Sequence, residues 1–342
     1  MLLWPHKYIR ASKAARERLA GLRAEDVRSV AVIKHAALGD LVLARPFLTT
    51  VRKHFPNASI TFGAIANYLN GVPEDLVDRV HVAAGQFRPR PSFRTRMRSY
   101  RELGYHDLIF DITASSASAW ITQVNPARVK FGYRHSPLAP LLYDVTIPRG
   151  FMSFEAENFL HQLAILRIRY DWPLDFGWPA PQRATAPPYL VYFPTASVPE
   201  KCWPAERFGA LLGRLAEALP DYEHRLLYGV ADWEVETGDI ALAAAGERPN
   251  VRAVRDAKGE AFHALLRGGT VLICNDTGVR NLAIGRGLPT LGIFDATTVD
   301  TYLPRFGHHD AVHEPNGGWP SVDAVAETAL RMVNAIAHDP AR

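Results

Sequence analysis

Residues 29–55 read SVAVIKHAALGDLVLARPFLTTVRKHF, and this stretch decides the fold. Its first part, SVAVIK (29–34), predicts a strand buried on both faces, because a short apolar run of this kind fits a parallel sheet. A short loop follows, and residues 41–55 then have the apolar spacing of an amphipathic helix. A strand, a tight loop and a helix in this order are typical of a βαβ unit.

The same alternation of strands and helices continues through the rest of the chain. Further strands are predicted at 59–65, 107–112, 128–133, 141–148, 189–194, 224–229, 251–254 and 270–276, with a last strand at 289–294. The helices of the second half are predicted at 205–219, 233–245, 259–269, 279–287 and 322–338. This pattern predicts an α/β fold built from two Rossmann-like, doubly wound domains.

A proline-rich stretch, residues 173–188, divides the two runs of strands and helices. Because it carries five prolines and little apolar periodicity, we interpret it as a linker. The predicted domains are residues 1–172 and residues 189–342, facing each other across a cleft.

Charge is unevenly divided between the two halves. Residues 1–180 hold 24 basic and 15 acidic side chains, whereas residues 181–342 hold 15 basic and 20 acidic ones. The first half is therefore expected to meet an anionic partner. A basic amphipathic helix predicted at 8–22 either lies on an anionic membrane surface or packs on the first domain.

The remaining composition predicts a cytoplasmic protein. A peripheral position at the inner face of the membrane is compatible with this prediction. Cys202 and Cys274 do not make a disulfide framework, which favours a reducing compartment. No apolar run has the length of a membrane helix, and residues 1–23 lack the apolar core of a signal peptide. The histidines at 308, 309 and 313 are expected to form an ordinary loop cluster, because no further ligand completes a metal site.

The residues best suited to catalysis or to ligand binding lie in two loops that follow predicted strands. Gly39 permits close backbone approach, and Asp40 after it is either an N-cap or a base that takes a proton from a hydroxyl. The second loop reads Asn-Asp-Thr-Gly (275–278) before a helix, whose N-terminal N–H groups suit a diphosphate.

The chain resembles glycosyltransferase family 9, the ADP-heptose:lipopolysaccharide heptosyltransferases, from about residue 29 to its closing helix. The resemblance rests on HAALGDLVLARPFLTTVRKHFPNASITF (35–62), YHDLIFDITAS (105–115), PARVKFGY (126–133), HQLAILRIRYD (161–171), FPTASVPEKCWPAERFGALL (193–212) and LICNDTGVRNLAIGRGLPTLGIFDATT (272–298).

The resemblance implies a GT-B fold and an inverting mechanism that uses a nucleotide sugar but no metal and no cofactor. Asp40 matches the base of the family, and Lys201 matches the lysine that neutralises the diphosphate. The other implied donor-binding residues are Asp276, Thr277, Gly278, Thr195, Ser197 and, for the ribose, Glu234 or Asp232. Asn281 departs from the family, which often has His at this place, and this departure bears on the choice of donor sugar.

For the acceptor, the sequence offers Gly39 and a run of arginines. The arginines are interleaved with aromatic residues, and we interpret this run as a loop that binds a phosphorylated, acidic glycolipid. They are Arg88, Arg90, Arg94, Arg96, Arg98 and Arg101. A solvated loop without a ligand is the alternative. Nucleic acid is not the expected partner, because no nucleic-acid-binding module is recognisable.

These observations predict a transferase that moves a sugar, heptose from ADP-heptose in our interpretation, onto an anionic lipopolysaccharide-type acceptor. Two alternatives stay open at this point. One is transfer of another sugar to another envelope glycan, and the other is a catalytically inactive relative that binds a nucleotide sugar or a glycolipid. Asn281, which replaces the His that the family often has, favours the alternatives. The presence of Asp40 and Lys201, which match the family, argues against an inactive protein.

Overall fold

The structure is a computed structural model that describes residues 9–85, 91–150, 153–179, 187–295 and 298–338. The chain forms two compact units, Met1–Gly177 and Trp178–Arg342. Residues 173–177 of the predicted linker belong to the first unit. There Leu174 and Phe176 are buried, and Arg45 Nε donates to the Phe176 carbonyl at 2.7 Å.

The first unit is a parallel sheet with helices between its strands. The strands are β1 (Arg10–Ala11), β2 (Ser29–Ile33), β3 (Ser59–Ile65), β4 (Arg79–Ala83), β5 (His106–Asp111), β6 (Ala127–Tyr133) and β7 (Val145–Ile147). The helices are α1 (Lys13–Ala20), α2 (Leu38–Leu43), α3 (Arg45–His54), α4 (Phe93–Arg101), α5 (Ser116–Val124), α6 (Ala139–Leu142) and α7 (Glu155–Leu160). The strand order is β1-β7-β6-β5-β2-β3-β4, and only the β1–β7 pair is antiparallel.

The second unit repeats this architecture with an all-parallel sheet. Its strands are β8 (Tyr189–Phe193), β9 (Glu223–Tyr228), β10 (Val251–Arg255), β11 (Val271–Asn275), β12 (Thr290–Ile293) and β13 (His309–Val312). Its helices are α8 (Ala205–Ala218), α9 (Asp232–Ala245), α10 (Gly259–Gly268), α11 (Gly278–Gly285), α12 (Val299–Tyr302) and α13 (Val322–Ala337). The strand order is β10-β9-β8-β11-β12-β13.

Both sheets have the doubly wound strand order that defines the Rossmann fold. If β1 is left out and the strands of each unit are counted along the chain, they lie side by side in the order third, second, first, fourth, fifth and sixth. The central strands β2, β8 and β11 are apolar on both faces because helices cover both sides. In the second unit, Trp203 and Phe208 pack in the core with helices α8, α9 and α13. Gly209 lets α8 approach α9, since a Cβ there would lie 2.3 Å from the Ala241 carbonyl oxygen.

The predicted strands and helices are confirmed within two residues at their ends, with five corrections. The helix predicted at 8–22 begins only at Lys13, because residues 10–11 form β1 and pair with β7. Residues 41–55 are not one helix: α2 and α3 meet at Ala44, because Pro46 has no N–H to donate to the Val42 carbonyl. Within 141–148 only Val145–Ile147 is a strand, and its beginning belongs to α6.

The other two corrections concern polar segments. Their composition predicts loops, but each segment forms a strand or a helix in the folded unit. The strand at 289–294 is not the last, since β13 pairs with it and includes His309, which is therefore not in a loop. The arginine-rich segment is helical, not a loop, over Phe93–Arg101, and Ser92 caps this helix by accepting from the Thr95 N–H. Arg88 and Arg90 lie outside the described residues.

The basic N-terminal segment is helical over Lys13–Ala20 and packs on the first unit. Arg18 Nη2 lies 3.1 Å from Asp144 Oδ1, and α1 contacts β6. Within the described part of the chain, none of the helices combines the length and the apolar character needed to cross a bilayer.

Candidate active site

Asp40 and most of the predicted donor-binding residues follow strands at the point where the strand order of each sheet reverses. In the first unit this point lies between β2 and β5, and in the second unit between β8 and β11. Loops that leave the carboxyl ends of these strands turn to opposite sides, so a crevice opens there in each unit. Asp40 follows β2, residues 195–201 follow β8, and residues 276–278 follow β11.

Asp40 is the third residue of α2 and does not cap that helix. The N-cap position belongs to Ala37, which makes no side-chain capping bond. The Asp40 side chain is about one-third exposed, and its Oδ2 lies 4.0 Å from Lys34 Nζ. Gly39, the residue before it, is buried. The alternative that Asp40 serves only as an N-cap is therefore wrong, and its carboxylate is accessible to a ligand.

Lys34 is a neighbour of Asp40 that is not among the predicted site residues. Its side chain is only 4% exposed, and its ammonium lies 4.3 Å from the centre of the Phe159 ring. Burial lowers the pKa of Lys34, while the carboxylates of Asp40 and Glu155 oppose that shift. One feature of the sequence could have pointed to Lys34. It ends an otherwise apolar predicted strand, and a residue at the end of a parallel strand lies at the carboxyl edge of the sheet, where ligands bind.

Buried polar groups from residues 149–158 support this edge of the first sheet. Arg149 forms an ion pair with Glu155, whose side chain is 2% exposed. Asn158 Nδ2 donates to Glu155 Oε2 at 3.2 Å, and the Tyr133 hydroxyl donates to the Asn158 carbonyl at 2.9 Å. The buried carboxylate of Glu155 is therefore compensated by Arg149 and Asn158.

A second buried carboxylate, Asp111, ends β5 on the other side of the same crevice. The Tyr143 hydroxyl donates to its Oδ2 at 2.6 Å, and the Thr113 N–H donates to its Oδ1 at 2.9 Å. Burial raises the pKa of Asp111, and these donors act against that shift. Since its oxygens are already bonded, Asp111 orders the loop after β5.

His35 also lies in the loop after β2, between Lys34 and the helix that carries Asp40. Burial lowers the pKa of His35 to about 3, so the ring is neutral at physiological pH. Both ring nitrogens are buried, and neither has a hydrogen-bond partner among the described residues. Its backbone N–H donates to Thr113 Oγ1 at 2.9 Å, which connects the loops after β2 and β5.

In the second unit, the loop after β8 carries Thr195, Ser197 and Lys201. Thr195 is fully buried, and its hydroxyl has no partner in the described part of the chain. Ser197 and Lys201 are exposed, with Lys201 ending the short helical turn Pro199–Lys201. A buried hydroxyl without a partner is costly, which indicates that a ligand or water completes it.

Asn275 connects this loop to the loop after β11. Its Oδ1 accepts from the Trp203 N–H at 2.9 Å, and its Nδ2 donates to the Pro194 carbonyl at 2.7 Å. The next helix, α11, begins after Thr277, which makes no side-chain capping bond. The first N–H groups of a helix have no partner within it, so this end of α11 favours an anion.

Two buried polar residues follow in α11. Asn281 is 5% exposed, and Arg280 is fully buried. Arg280 Nη1 donates to the Tyr302 carbonyl at 2.7 Å, and its guanidinium lies 5.2 Å from the Phe294 ring centre. Its Nε and Nη2 have no partner among the described residues, and burial lowers its pKa. Arg280 is not among the site residues that the sequence predicts.

Glu234 and Asp232 both lie in the first turn of α9, after the carboxyl end of β9. Glu234 Oε2 accepts from the Ala231 N–H at 3.2 Å, so this carboxylate caps its own helix. Glu234 is half-buried and Asp232 is exposed. Gly229 leaves room for Glu234, because a Cβ at that position would lie 2.2 Å from its Oε2.

The arginines of α4 lie in the crossover from the edge strand β4 to β5, and not in a loop at the carboxyl end of β2 or β5. Arg94, Arg98 and Arg101 line one groove beside α5, whereas Arg96 is half-buried, with its guanidinium 6.0 Å from the Phe93 ring centre. Among the described residues, no group of three or more His, Cys, Asp or Glu side chains is placed to hold a metal ion.

Two Rossmann-like units, each built on a mainly parallel sheet, make up the GT-B fold. The profile of glycosyltransferase family 9 (heptosyltransferase) matches residues 96–314, and the chain belongs to this family. It is therefore a glycosyltransferase.

Individual proteins agree with this assignment. Lipopolysaccharide heptosyltransferase 1 of Pseudomonas aeruginosa is 27% identical over 290 residues, which cover 78% of this chain and 79% of that protein. The crystal structure of a family 9 glycosyltransferase from Veillonella parvula has a TM-score of 0.70 at 17% identity, covering 92% of this chain and 99% of that one. The structure of E. coli heptosyltransferase WaaC with ADP-2-deoxy-2-fluoro heptose has a TM-score of 0.69 at 19% identity, covering 90% of this chain and 99% of that one.

The two bonds of the Asn275 amide generate a testable prediction about the second unit. Asn275→Ala leaves the Trp203 N–H and the Pro194 carbonyl without partners, which costs about 1–3 kcal/mol for each group. We expect both the free energy of unfolding, measured by urea denaturation, and the affinity for ADP to fall.

Asn250→Ala is the matched control. The Asn250 amide bridges the carbonyls of Ala216 and Tyr222, at the amino end of β10. It should lose stability but retain ADP affinity. Equal ADP affinity in the wild type and the folded Asn275→Ala variant would show that Asn275 does not order the loops for a ligand.

Proposed function

We propose that this chain is an inverting, metal-independent transferase that moves heptose from ADP-heptose onto an anionic acceptor of the lipopolysaccharide core. The observation that carries the proposal is the different chemistry of the two crevices. The first presents the carboxylate of Asp40, and the second presents a lysine, a buried hydroxyl and a helix N-terminus. The names of the Pseudomonas and E. coli relatives support heptose as the sugar and lipopolysaccharide as the acceptor class.

In the proposed reaction, an acceptor hydroxyl attacks the anomeric carbon of the donor sugar. Asp40 takes the proton of that hydroxyl as the new carbon–oxygen bond forms. The bond between the anomeric carbon and the diphosphate oxygen breaks on the opposite face, so the configuration at that carbon inverts. The electron pair of this bond leaves on the nucleoside diphosphate.

The second unit is proposed to stabilise that leaving group. Lys201 and the N-terminus of α11, formed by Asp276, Thr277 and Gly278, offset the charge on the phosphate oxygens. The hydroxyls of Thr195 and Ser197 donate further hydrogen bonds to the donor. A lysine and backbone N–H groups supply the counter-charge that a divalent cation supplies in other transferases, which supports the metal-independent mechanism.

The remaining predicted residues keep proposed roles in specificity. Glu234 would accept from the ribose hydroxyls, with Asp232 as the less favoured choice, and Asn281 would contact the donor sugar or phosphate. Gly39 would allow the acceptor to approach the backbone beside Asp40. The basic contacts of the anionic acceptor would be Arg88, Arg90, Arg94, Arg96 and Arg98.

One observation favours a second candidate, which is transfer of a different sugar. Asn281 is neutral and buried, so this position has no group that becomes cationic beside the leaving group. Measuring the melting temperature with a panel of nucleotide sugars distinguishes the candidates, because only ligands that bind the folded chain stabilise it. Stabilisation by ADP-heptose supports the first proposal, and stabilisation by another nucleotide sugar alone supports the second.

Asp40 gives the first test of the mechanism. Asp40→Asn keeps the size of the side chain and removes its basicity, so we expect kcat to fall by at least about 100-fold. Steady-state kinetics with ADP-heptose and a lipopolysaccharide-core acceptor measure this change, and calorimetry should show unchanged ADP binding. The control is Asp26→Asn, an exposed residue at the other end of β2. A folded Asp40→Asn variant with near-normal kcat would refute the assignment of Asp40 as the base.

Lys34 gives the second test, on the placement of the base. Its ammonium lies 4.0 Å from Asp40 Oδ2, so the two side chains hold each other in position. We expect Lys34→Met to lower kcat by about tenfold in steady-state kinetics, because a base that is less well placed transfers a proton less efficiently. Its melting temperature should not fall, because an apolar side chain of similar size replaces a buried charge.

Lys53→Met is the control for this experiment. Lys53 is exposed on α3, where it pairs with Asp171, and its replacement should leave kcat unchanged. Equal kcat values for the wild type and Lys34→Met would limit Lys34 to a structural role.

Lys201 gives the third test, on donor binding. Lys201→Ala removes a positive charge from the proposed diphosphate site, and we expect ADP to bind at least about tenfold more weakly in calorimetry. Lys258→Ala is the matched control, because Lys258 is also exposed in the second unit but lies after the edge strand β10, paired with Asp256. If both variants bind ADP like the wild type, Lys201 does not contact the donor.

A further inference from the structure

An open groove of about 700 Å³ runs between α4 and α5 on the first unit. The apolar part of its lining consists of Phe93 and Met97 from α4 and Trp120 and Val124 from α5. Each pair is four residues apart, so on each helix the two side chains share one face. The groove therefore follows the length of both helices.

The apolar side chains of this groove are unusually exposed. Phe93 is 63% exposed and Trp120 is 53% exposed. Beside the groove, α6 packs against α5, and Leu138 and Leu141 are 63% and 75% exposed there. We call the groove together with these two leucines the α4–α6 surface. Exposed aromatic and leucine side chains on adjacent helices indicate an interaction site.

The charges around the groove are predominantly positive. Arg94, Arg98 and Arg101 line it, at a spacing that places them along one side of α4. Glu102 is its acidic residue, and its Oε1 lies 3.7 Å from Arg98 Nε. Both partners of that pair are well exposed, so solvent screens their attraction and leaves Arg98 able to bind another anion.

Aromatic and leucine side chains flanked by arginines match the chemistry of a lipid interface. Tryptophan and phenylalanine insert among lipid headgroups, and arginines pair with lipid phosphates. A protein partner of matching apolar character would not need the arginines, whereas an anionic bilayer uses both features.

We propose that the α4–α6 surface docks the first unit on an anionic phospholipid bilayer. Phe93, Trp120, Leu138 and Leu141 enter the headgroup region, and the three arginines bind lipid phosphates. This inference rests on the proposed function in that the acceptor is a glycolipid, and it deepens the role proposed there for Arg94 and Arg98. Their anionic contacts would be phosphates of the lipid surface in which that acceptor lies. Because α4 and α5 begin after the carboxyl ends of β4 and β5, docking holds the edge of the sheet that carries Asp40 near the lipid.

The test is co-sedimentation of the full chain with vesicles. The wild type should bind vesicles of phosphatidylethanolamine and phosphatidylglycerol but not vesicles of phosphatidylcholine alone, and high salt should weaken the binding. Arg94→Gln and Arg98→Gln should each lower the partition coefficient about fivefold. Phe93→Ala and Trp120→Ala should each lower it about tenfold.

Two control variants make the experiment specific to this surface. Tyr105→Ala removes another exposed aromatic side chain of the first unit, and Arg16→Gln removes an exposed arginine of α1. Both should bind vesicles like the wild type. Loss of binding in Arg16→Gln, with normal binding in the α4 and α5 variants, would move the bilayer contact to α1 and overturn the proposal.

Other outcomes separate this proposal from the proposed function. With a delipidated, water-soluble acceptor oligosaccharide, Phe93→Ala and Trp120→Ala should transfer sugar like the wild type. If the wild type transfers no sugar but its vesicle binding depends on these residues, docking stands and the proposed function fails. Vesicle binding unaffected by every α4 and α5 variant refutes docking. A wild-type dimer that Trp120→Ala dissociates would instead make this surface a protein interface.

Discussion

The parallel order of the strands is the constraint on which the rest of this structure depends. A strand that must return to the same sheet needs a crossover helix, and the crossovers leave the first strand of each unit in opposite directions. The loops at that reversal are therefore not covered by a helix. Asp40 follows β2 there, and Lys201 and Asp276 follow β8 and β11. Topology alone places these side chains at two crevices.

The two crevices differ in the pairing of their buried charges. In the first unit, Glu155 pairs with Arg149, and the Lys34 ammonium lies 4.0 Å from Asp40 and 4.3 Å from the centre of the Phe159 ring. In the second unit, two nitrogens of the Arg280 guanidinium have no partner in the described ranges. Neutral groups without a partner occur at both crevices, namely the His35 ring in the first and the Thr195 hydroxyl in the second. An unpaired buried cation favours an anionic ligand, which accords with the diphosphate proposed for the second unit.

The arginine-rich segment shows how secondary structure changes the meaning of a composition. As a loop, its arginines would have converged on one anion. As helix α4, with Ser92 as its cap, it divides them between a half-buried Arg96 and an exposed row along the groove beside α5. The same residues thereby become neighbours of Phe93 and Trp120, and an extended lipid surface becomes a better ligand than a single phosphate.

The sequence by itself determined the two Rossmann-like units, most of their strands and helices, and the loops that carry Asp40 and residues 276–278. These features depend on local apolar periodicity and on short motifs, which a single segment contains. Only the tertiary structure decided that Lys34 is buried beside Asp40, that Asn275 connects Pro194 to Trp203, and that His309 lies in a strand. Each of these depends on a partner far away in the chain, because burial and pairing are set by the segments that pack together and not by the neighbouring residues.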